Sequence, residues 1–125
     1  MIARTPEPPY WAVIFTSVRS ADPEGYAAMA EAMERLAATQ PGYLGLETAS
    51  AAIGITVSYW RDLDSIAAWR ADLRHAAAQS EGRDRWYAAY TVRIARVERA
   101  YGFDAAKTDD ESLVLRHRGQ KGGSP

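Results

Sequence analysis

The sequence predicts one α+β domain of the ferredoxin-like class, with the element order β-α-β-β-α-β and an antiparallel sheet. Two observations predict this class. Segments rich in aromatic and β-branched residues are separated by segments whose apolar residues recur at helical spacing. The six segments also follow one another in the order of the split βαβ arrangement. The length of 125 residues is that of a single domain.

The first half of the chain predicts a strand, a helix and a second strand. Residues 1–9 contain three prolines and predict an extended lead-in. Tyr10–Val18 is rich in aromatic and β-branched residues, which favour a strand. From Tyr26 to Ala37 the apolar residues recur at helical spacing, and Gln40–Gly42 ends this helix. Tyr43–Thr48 predicts the second strand.

The third strand is predicted at Ile53–Trp60. Apolar and polar residues alternate along it, which is typical of a half-buried strand. The apolar set is Ile55, Val57 and Tyr59, and the polar set is Thr56 and Ser58.

A second helix is predicted from Asp62 to Gln79. Asp62 or Asp64 can cap it, because a carboxylate accepts hydrogen bonds from the unpaired N–H groups of a helix start. Its apolar stripe consists of Ile66, Trp69, Leu73, Ala76 and Ala77.

The last strand is predicted at Tyr90–Arg99, with a bulge at Ala95–Val97 where the alternation breaks. Residues 104–125 are polar and end in Gly-Gly-Ser-Pro. We therefore expect a folded domain at residues 1–103 and a polar C-terminal tail at 104–125.

Composition excludes several functional classes. A formal net charge of −1 gives no electrostatic reason to expect nucleic acid or an anionic membrane surface. The chain has no cysteine, which excludes disulfides and zinc–sulfur sites and fits a cytoplasmic location. No segment approaches the roughly 20 apolar residues of a membrane span. No phosphate-binding loop, catalytic triad, metal-ligand pattern or cofactor motif is found, so we expect no cofactor.

The first strand predicts a homodimer. Apolar residues occupy both of its alternation classes: Trp11, Val13 and Phe15 in one, Tyr10, Ala12 and Ile14 in the other. A strand with two apolar faces is buried on both sides. With no second layer of secondary structure left in the chain, a second subunit is the simplest cover.

Four stretches of sequence carry a family resemblance. They are the opening strand Tyr10–Ser17, the turn and strand Gln40–Glu47 with its Pro-Gly-Tyr-Leu-Gly sequence, the strand Gly54–Trp60, and the helix that carries Trp69 and His75. In these the chain resembles the antibiotic biosynthesis monooxygenase family. The resemblance spans roughly residues 10–103 and implies a dimeric α+β barrel.

The resemblance implies three functional alternatives. Some members of that family are cofactor-independent oxygenases of aromatic substrates, some degrade haem, and many have no known activity. In the haem-degrading members a histidine of the second helix ligates iron beside an asparagine and a tryptophan, so the resemblance makes His75 and Trp69 the catalytic candidates. This chain has no asparagine, and His75 and Trp69 are about 120° apart on an ideal helix. Both facts argue against haem breakdown. An exposed structural role for His75, opposite Ile66 on the helix, is the simpler interpretation.

The chain is rich in aromatic residues, which suggest a pocket for a small aromatic ligand. Burial in the core or in a dimer interface is the alternative explanation. Arg85 beside Trp86 is a further candidate for binding a carboxylate or phenolate. The pocket candidates are Trp11, Phe15, Tyr59, Trp60, Arg85, Trp86 and Tyr90.

Two functional hypotheses follow. The first is a cofactor-independent monooxygenase that oxidises an aromatic or polycyclic molecule with O₂. The second is a non-catalytic, ligand-binding or stress-associated dimer. A titratable group that points into the cleft favours the enzyme, and a purely apolar lining favours the binding protein.

Overall fold

The computed structural model describes residues 1–20, 25–79 and 86–106, and of residues 75–79 the backbone only. The described residues form six elements: β1 (Tyr10–Arg19), α1 (Tyr26–Ala38), β2 (Tyr43–Ser50), β3 (Gly54–Trp60), α2 (Leu63–Gln79) and β4 (Tyr87–Val97). The strands form one antiparallel sheet in the order β2-β3-β1-β4. The predicted ferredoxin-like class is confirmed. Neither of the described helices is long and apolar enough to cross a membrane.

The last strand differs from its predicted bounds. β4 begins at Tyr87 rather than Tyr90 and ends at Val97, so that Arg99 lies beyond it. The predicted bulge at 95–97 is wrong, because these residues keep their register with β1. The ladder is instead interrupted near the start of β4, where Ala88 is an extra residue opposite the step from Val18 to Arg19.

The core lies between the helices and one face of the sheet. Val13, Ala37, Trp60, Ile66 and Trp69 form the buried cluster, and Trp60 is 0% exposed. Trp60 and Trp69 stack with their ring centroids 5.8 Å apart and their planes 25° apart. This stack joins the end of β3 to the second turn of α2. The predicted apolar stripe of α1 is confirmed, because all of its members are buried or half-buried: Tyr26, Met29, Ala30, Met33, Leu36 and Ala37.

The start of α2 is capped by Asp62. The backbone N–H of Ser65 donates a hydrogen bond of 2.8 Å to Asp62 Oδ1, and the Ser65 hydroxyl donates one of 2.6 Å to the same oxygen. The predicted cap is therefore confirmed at Asp62 rather than Asp64.

The capped end of α2 packs against the turn between α1 and β2. Gly42 in that turn has a φ of +83°, and its carbonyl accepts a 2.8 Å hydrogen bond from the N–H of Arg61. A Cβ at this position would lie 2.6 Å from Ser65 Cβ. Only glycine permits this approach, so Gly42 fixes how closely the α1–β2 turn approaches the start of α2.

The N-terminal segment covers part of the sheet face that lies opposite the helices. The N–H of Ala3 donates a 3.0 Å hydrogen bond to Glu47 Oε2, while the Tyr59 hydroxyl donates a 2.7 Å bond to Glu47 Oε1. Tyr10 and Ala12 on this face are each 5% exposed. The chain itself therefore supplies some of the cover that the sequence assigned to a partner.

The rest of this outer face includes exposed apolar side chains. Val18 and Ile55 are each 44% exposed. This is the area on which the predicted second subunit would lie, and the homodimer stays a prediction.

We expect Gly42→Ala to lower the free energy of unfolding by roughly 2–4 kcal/mol, because alanine is strained at positive φ and its methyl group would overlap Ser65. Urea denaturation measures the change. Gly102→Ala is the control, since a Cβ there has no heavy atom within 4 Å, and it should change stability by less than about 0.5 kcal/mol. Equal effects of the two substitutions would contradict this account of the turn.

The cap also predicts a pH dependence. The hydrogen bonds from Ser65, and then that from Arg61, lower the pKa of Asp62 from 3.8 to about 2. Because the native state holds this carboxyl ionised at a lower pH than the unfolded state does, its stabilisation is complete above about pH 4 and is lost as the pH falls through about 2.

Asp62→Ala should therefore lower the melting temperature at pH 7 and flatten its fall between about pH 4 and pH 2. Calorimetric scans across this range measure both effects. Asp64→Ala, which removes a neighbouring carboxylate of the same turn, should keep the wild-type slope. Parallel profiles for wild type and Asp62→Ala would show that the cap is not the linked group.

Candidate functional site

A cavity of about 500 Å³ lies between the two helices and the sheet. It is closed at one end by the buried core and open to solvent at the other, where Arg19, Ser50 and Tyr90 are exposed. The described residues that line it belong to all six elements. The sheet contributes chiefly Val13, Phe15, Ser17, Arg19, Leu46, Thr48, Ser50, Gly54, Thr56, Ser58, Tyr87, Tyr90 and Val92, and the helices chiefly Tyr26, Met29, Ala30, Met33, Glu34, Ala37, Trp69, Arg70, Leu73 and Arg74.

The cavity exists because four of the helix-facing positions of the two central strands carry small residues. Ser17, Gly54, Thr56 and Ser58 stand where large apolar side chains would otherwise fill the space under the helices. Ser17 and Ser58 are 4% and 6% exposed. Ser17 pairs with Gly54, which is four residues, or roughly 13 Å, from Ser58 along β3. These small residues form the floor of the cavity, and one serine hydroxyl lies near each end of it.

The usual rule places the apolar residues of an alternating strand on its inner face, and β3 reverses this rule. Its polar residues face the helices, and Ile55 on the other side is 44% exposed. The sequence correctly indicates a period of two, but the polar face is the inner one. Polar residues that face inward on a central strand are expected at a functional site.

Aromatic rings form the wall beside β4. Phe15 lies 5.3 Å from both Tyr87 and Tyr90, measured between ring centroids, and Tyr26 of α1 lies 5.9 Å from Tyr87. Met29 and Met33 of α1 line the same cavity. Flat rings and flexible thioethers together suit a planar apolar ligand.

Ser58 presents a hydrogen-bond donor at the closed end. Its hydroxyl oxygen accepts a 2.9 Å hydrogen bond from Trp60 Nε1, which is a donor only. The hydroxyl proton of Ser58 is therefore left to donate elsewhere, and Ser58 lines the cavity. An oxygen atom of a ligand that reaches this end would meet an oriented donor.

Arg19 and two tyrosines form the open end. The guanidinium of Arg19 lies 4.1 Å from the centroid of the Tyr26 ring and donates a 3.2 Å hydrogen bond to Ser50 Oγ. Burial and the adjacent hydroxyl of Tyr26 raise the pKa of Tyr87, although the charge of Arg19 opposes them. Tyr87 therefore keeps its proton to a higher pH than an ordinary tyrosine and is unsuited to act as a base.

The structure brings together four of the pocket and catalytic candidates. Phe15, Trp69, Trp86 and Tyr90 line the cavity. Trp69 serves the core as well, through its stack on Trp60. The role of Trp69 in catalysis stays a prediction.

The other candidates lie elsewhere. Trp11 packs against the core and Trp60 is part of it, and neither lines the cavity. Tyr59 lies on the opposite face of the sheet, where burial and then its hydrogen bond to Glu47 raise its pKa to about 12. The side chain of His75 and the whole of Arg85 lie outside the described residues.

Sequence reasoning did not single out Ser17, Arg19 or Ser58. The signal that could have found the two serines is the polar residue at every second position of a strand that must be buried. No comparable signal exists for Arg19, whose place in the site depends on tertiary contacts with Tyr26 and Ser50. Among the described residues, no group of three or more His, Asp or Glu side chains is placed to hold a metal ion.

The chain is similar to a curated bacterial protein over most of its length. It is 49% identical over 110 residues to the uncharacterized protein YqjZ of Bacillus subtilis, and the match covers 86% of this chain and 96% of YqjZ. No protein-family model matches the chain.

Several solved structures share the fold. PA3566 from Pseudomonas aeruginosa matches with a TM-score of 0.57 and 15% identity, over 76% of this chain and 98% of that one. A candidate antibiotic biosynthesis monooxygenase from Chloroflexus aurantiacus has a TM-score of 0.56 and 17% identity, over 74% and 97%. SnoaB, a cofactor-independent oxygenase from Streptomyces nogalater, has a TM-score of 0.54 and 17% identity, over 74% and 95%. At these identities the likeness concerns the fold alone. It confirms the ferredoxin-like α+β fold that the resemblance implied, and the dimer stays a prediction.

Because the residues of the cavity floor are small, we expect that a larger residue there raises stability and weakens ligand binding. Ser17→Val adds apolar volume beside the cavity and removes a buried hydroxyl, so it should raise the free energy of unfolding by about 1 kcal/mol. The same change should weaken the binding of 2-naphthol by about tenfold, because the valine occupies ligand space and cannot donate a hydrogen bond.

Calorimetry and ligand titration measure the two effects of Ser17→Val. Thr16→Val, the neighbouring residue on the other face of β1, is the control and should leave affinity unchanged. A loss of stability in Ser17→Val together with unchanged affinity would show that this cavity is not the binding site.

Proposed function

The chain belongs to the family of YqjZ and has the antibiotic biosynthesis monooxygenase-like fold, and from this premise we propose that it is a cofactor-independent monooxygenase of planar, electron-rich aromatic molecules. The substrate lies in the cavity between the helices and the sheet. One observation carries this proposal. The cavity combines aromatic and methionine walls with buried hydroxyl donors on its floor.

The size and lining of the cavity support an aromatic substrate. A volume of about 500 Å³ lies within the usual range for small-molecule sites. Phe15, Tyr87 and Tyr90 offer ring faces and edges for stacking. Ser58 and Ser17 offer donors to oxygen substituents at the two ends of a rigid ring system.

The reaction requires no external reductant. A ring CH₂ that is activated by a neighbouring phenol or carbonyl becomes a carbonyl group. One oxygen atom of O₂ enters the product, the other leaves as water, and the four electrons come from the substrate. The protein binds the enolate or phenolate, stabilises its charge and excludes bulk water.

Glu34 is the candidate proton acceptor. It is the one carboxylate among the described residues that line the cavity. Tyr87 is unsuited to that role because its pKa is raised. Tyr59, on the other side of the sheet, is unsuited for the same reason.

A non-catalytic, ligand-binding protein is the second candidate. The observation that favours it is the raised pKa of Tyr87 in the wall of the site, since a binding protein needs donors and no base. A haem-degrading role rests on the resemblance through His75, and no described side chain supports it.

The test is an oxygen-uptake assay with anthrone and naphthalenediol substrates, with binding measured separately by calorimetry. We expect at least about a hundredfold acceleration over the buffer reaction, which is within the range of general base catalysis and positioning. Glu34→Gln should lower kcat by about tenfold or more with little change in KM. Glu31→Gln, on the exposed side of the same helix, is the matched control.

Each outcome separates the hypotheses. Binding without acceleration of oxygen uptake would refute the monooxygenase and leave the binding protein. No binding of any planar aromatic would refute both. If Glu34→Gln turns over at the wild-type rate, the monooxygenase activity stands and a group other than Glu34 accepts the proton.

A further inference from the structure

Positive charge is concentrated around the cavity. Among the described lining residues, Arg19, Arg70 and Arg74 are cationic and Glu34 is anionic, which gives three positive charges against one negative. None of these four side chains forms an ion pair with another described residue. The whole chain, by contrast, carries a formal net charge of −1. The described lining residues are therefore more positive than the chain as a whole.

Arg19 is held ready to receive an anion. Its guanidinium is stacked over Tyr26 at 4.1 Å, and one terminal nitrogen donates to Ser50 Oγ. A guanidinium has five N–H donors in a rigid fork, so donors remain after this hydrogen bond. Two contacts that fix the side chain in advance reduce the entropy that binding would otherwise cost.

A second guanidinium approaches the same end. α2 starts directly after β3 and runs back across the sheet, and Arg74 lies roughly 16 Å along the helix axis from Leu63. Gly54 at the open end of β3 lies roughly 20 Å from Trp60. Arg74 therefore lies beyond the buried Trp69 in the direction of the open end, and it lines the same cavity as Arg19.

We infer that the open end of the cavity is a carboxylate subsite, and that the natural ligand is an aromatic acid. Its rings occupy the apolar part of the cavity and its carboxylate binds the fork of Arg19. This inference rests on the proposed function, because it assigns the substrate class of the same cavity. A carboxylate matches the two parallel donors of a guanidinium better than a phenol does. Arg74 adds charge to the subsite.

The test compares two probes of nearly equal shape, 2-naphthoate and its neutral amide 2-naphthamide, by isothermal titration calorimetry. The wild-type chain should bind the acid about tenfold more tightly than the amide, as expected for a charge-assisted pair. Arg19→Gln should reduce this preference to about twofold or less while the affinity for the amide stays within about twofold. Arg19→Lys, which keeps the charge and loses the fork, should give an intermediate preference.

Two further variants make the result specific. Ser50→Ala removes the hydrogen bond that holds the Arg19 side chain but keeps its charge. It should reduce the preference for the acid over the amide by about twofold to threefold. Arg35→Gln is the matched control, because Arg35 pairs with Glu31 on the exposed side of α1 and should keep the full preference. Raising the salt from about 0.05 M to about 0.5 M should weaken the binding of the acid more than that of the amide.

Equal affinities of wild type for the acid and the amide would overturn the carboxylate subsite and leave the proposed function standing. A preference that survives in a folded Arg19→Gln variant would also overturn it. If neither probe binds, both the subsite and the aromatic cavity are refuted. A preference that is lost in Arg19→Gln and kept in Arg35→Gln would establish it.

Discussion

The stack of Trp60 on Trp69 determines the distance between α2 and the sheet. Two large rings with centroids 5.8 Å apart fill the space at one end of the molecule, and close-packed interiors transmit such a constraint along a rigid helix. Towards the other end of the sheet, Ser17 and Gly54 line the cavity under the helices. The cavity is the volume that these small residues leave unfilled. One end of the molecule is well packed because its side chains are large, and the other end is open because its side chains are small.

The same end that contains the stack also holds the rigid backbone junctions. Asp62 caps α2 there, and Gly42 lets the α1–β2 turn approach Ser65 closely. The β2–β3 turn and the Arg19 side chain, which donates to Ser50, lie at the opposite end. Separation of this kind lets a ligand-binding end vary in sequence without loss of the fold, since most of the buried apolar contacts are made elsewhere.

The fold could be predicted from sequence because each element carries its own periodicity. The apolar stripe of α1 and the cap of α2 are local features, so the sequence predicts the stripe and limits the cap to Asp62 or Asp64. The site could not be predicted as well, because it depends on which face of a strand turns inward. The rule that apolar residues lie inside assigns Tyr59 to the interior of β3 and Ser58 to its exterior, whereas the N-terminal segment covers Tyr59 and the helices cover Ser58. Arg19 became part of the site only through tertiary contacts with Tyr26 of α1 and Ser50 of β2.

Hydrogen-bond donors and cations dominate the polar lining of this cavity, and this bears on how a substrate would be activated. Tyr87 stays protonated because its pKa is raised, and Ser58 has a proton to donate because Trp60 occupies its oxygen. Donors and positive charge favour the ionised form of a bound phenol or enol, so they lower the pKa of the ligand, and a weak base such as Glu34 then suffices to accept its proton. A substrate that ionises more easily in the site than in water passes an electron to oxygen more easily too. The same electrostatic field would then hold a carboxylate at Arg19 and activate the ring, which is why the proposed chemistry and the proposed ligand class follow from one arrangement of side chains.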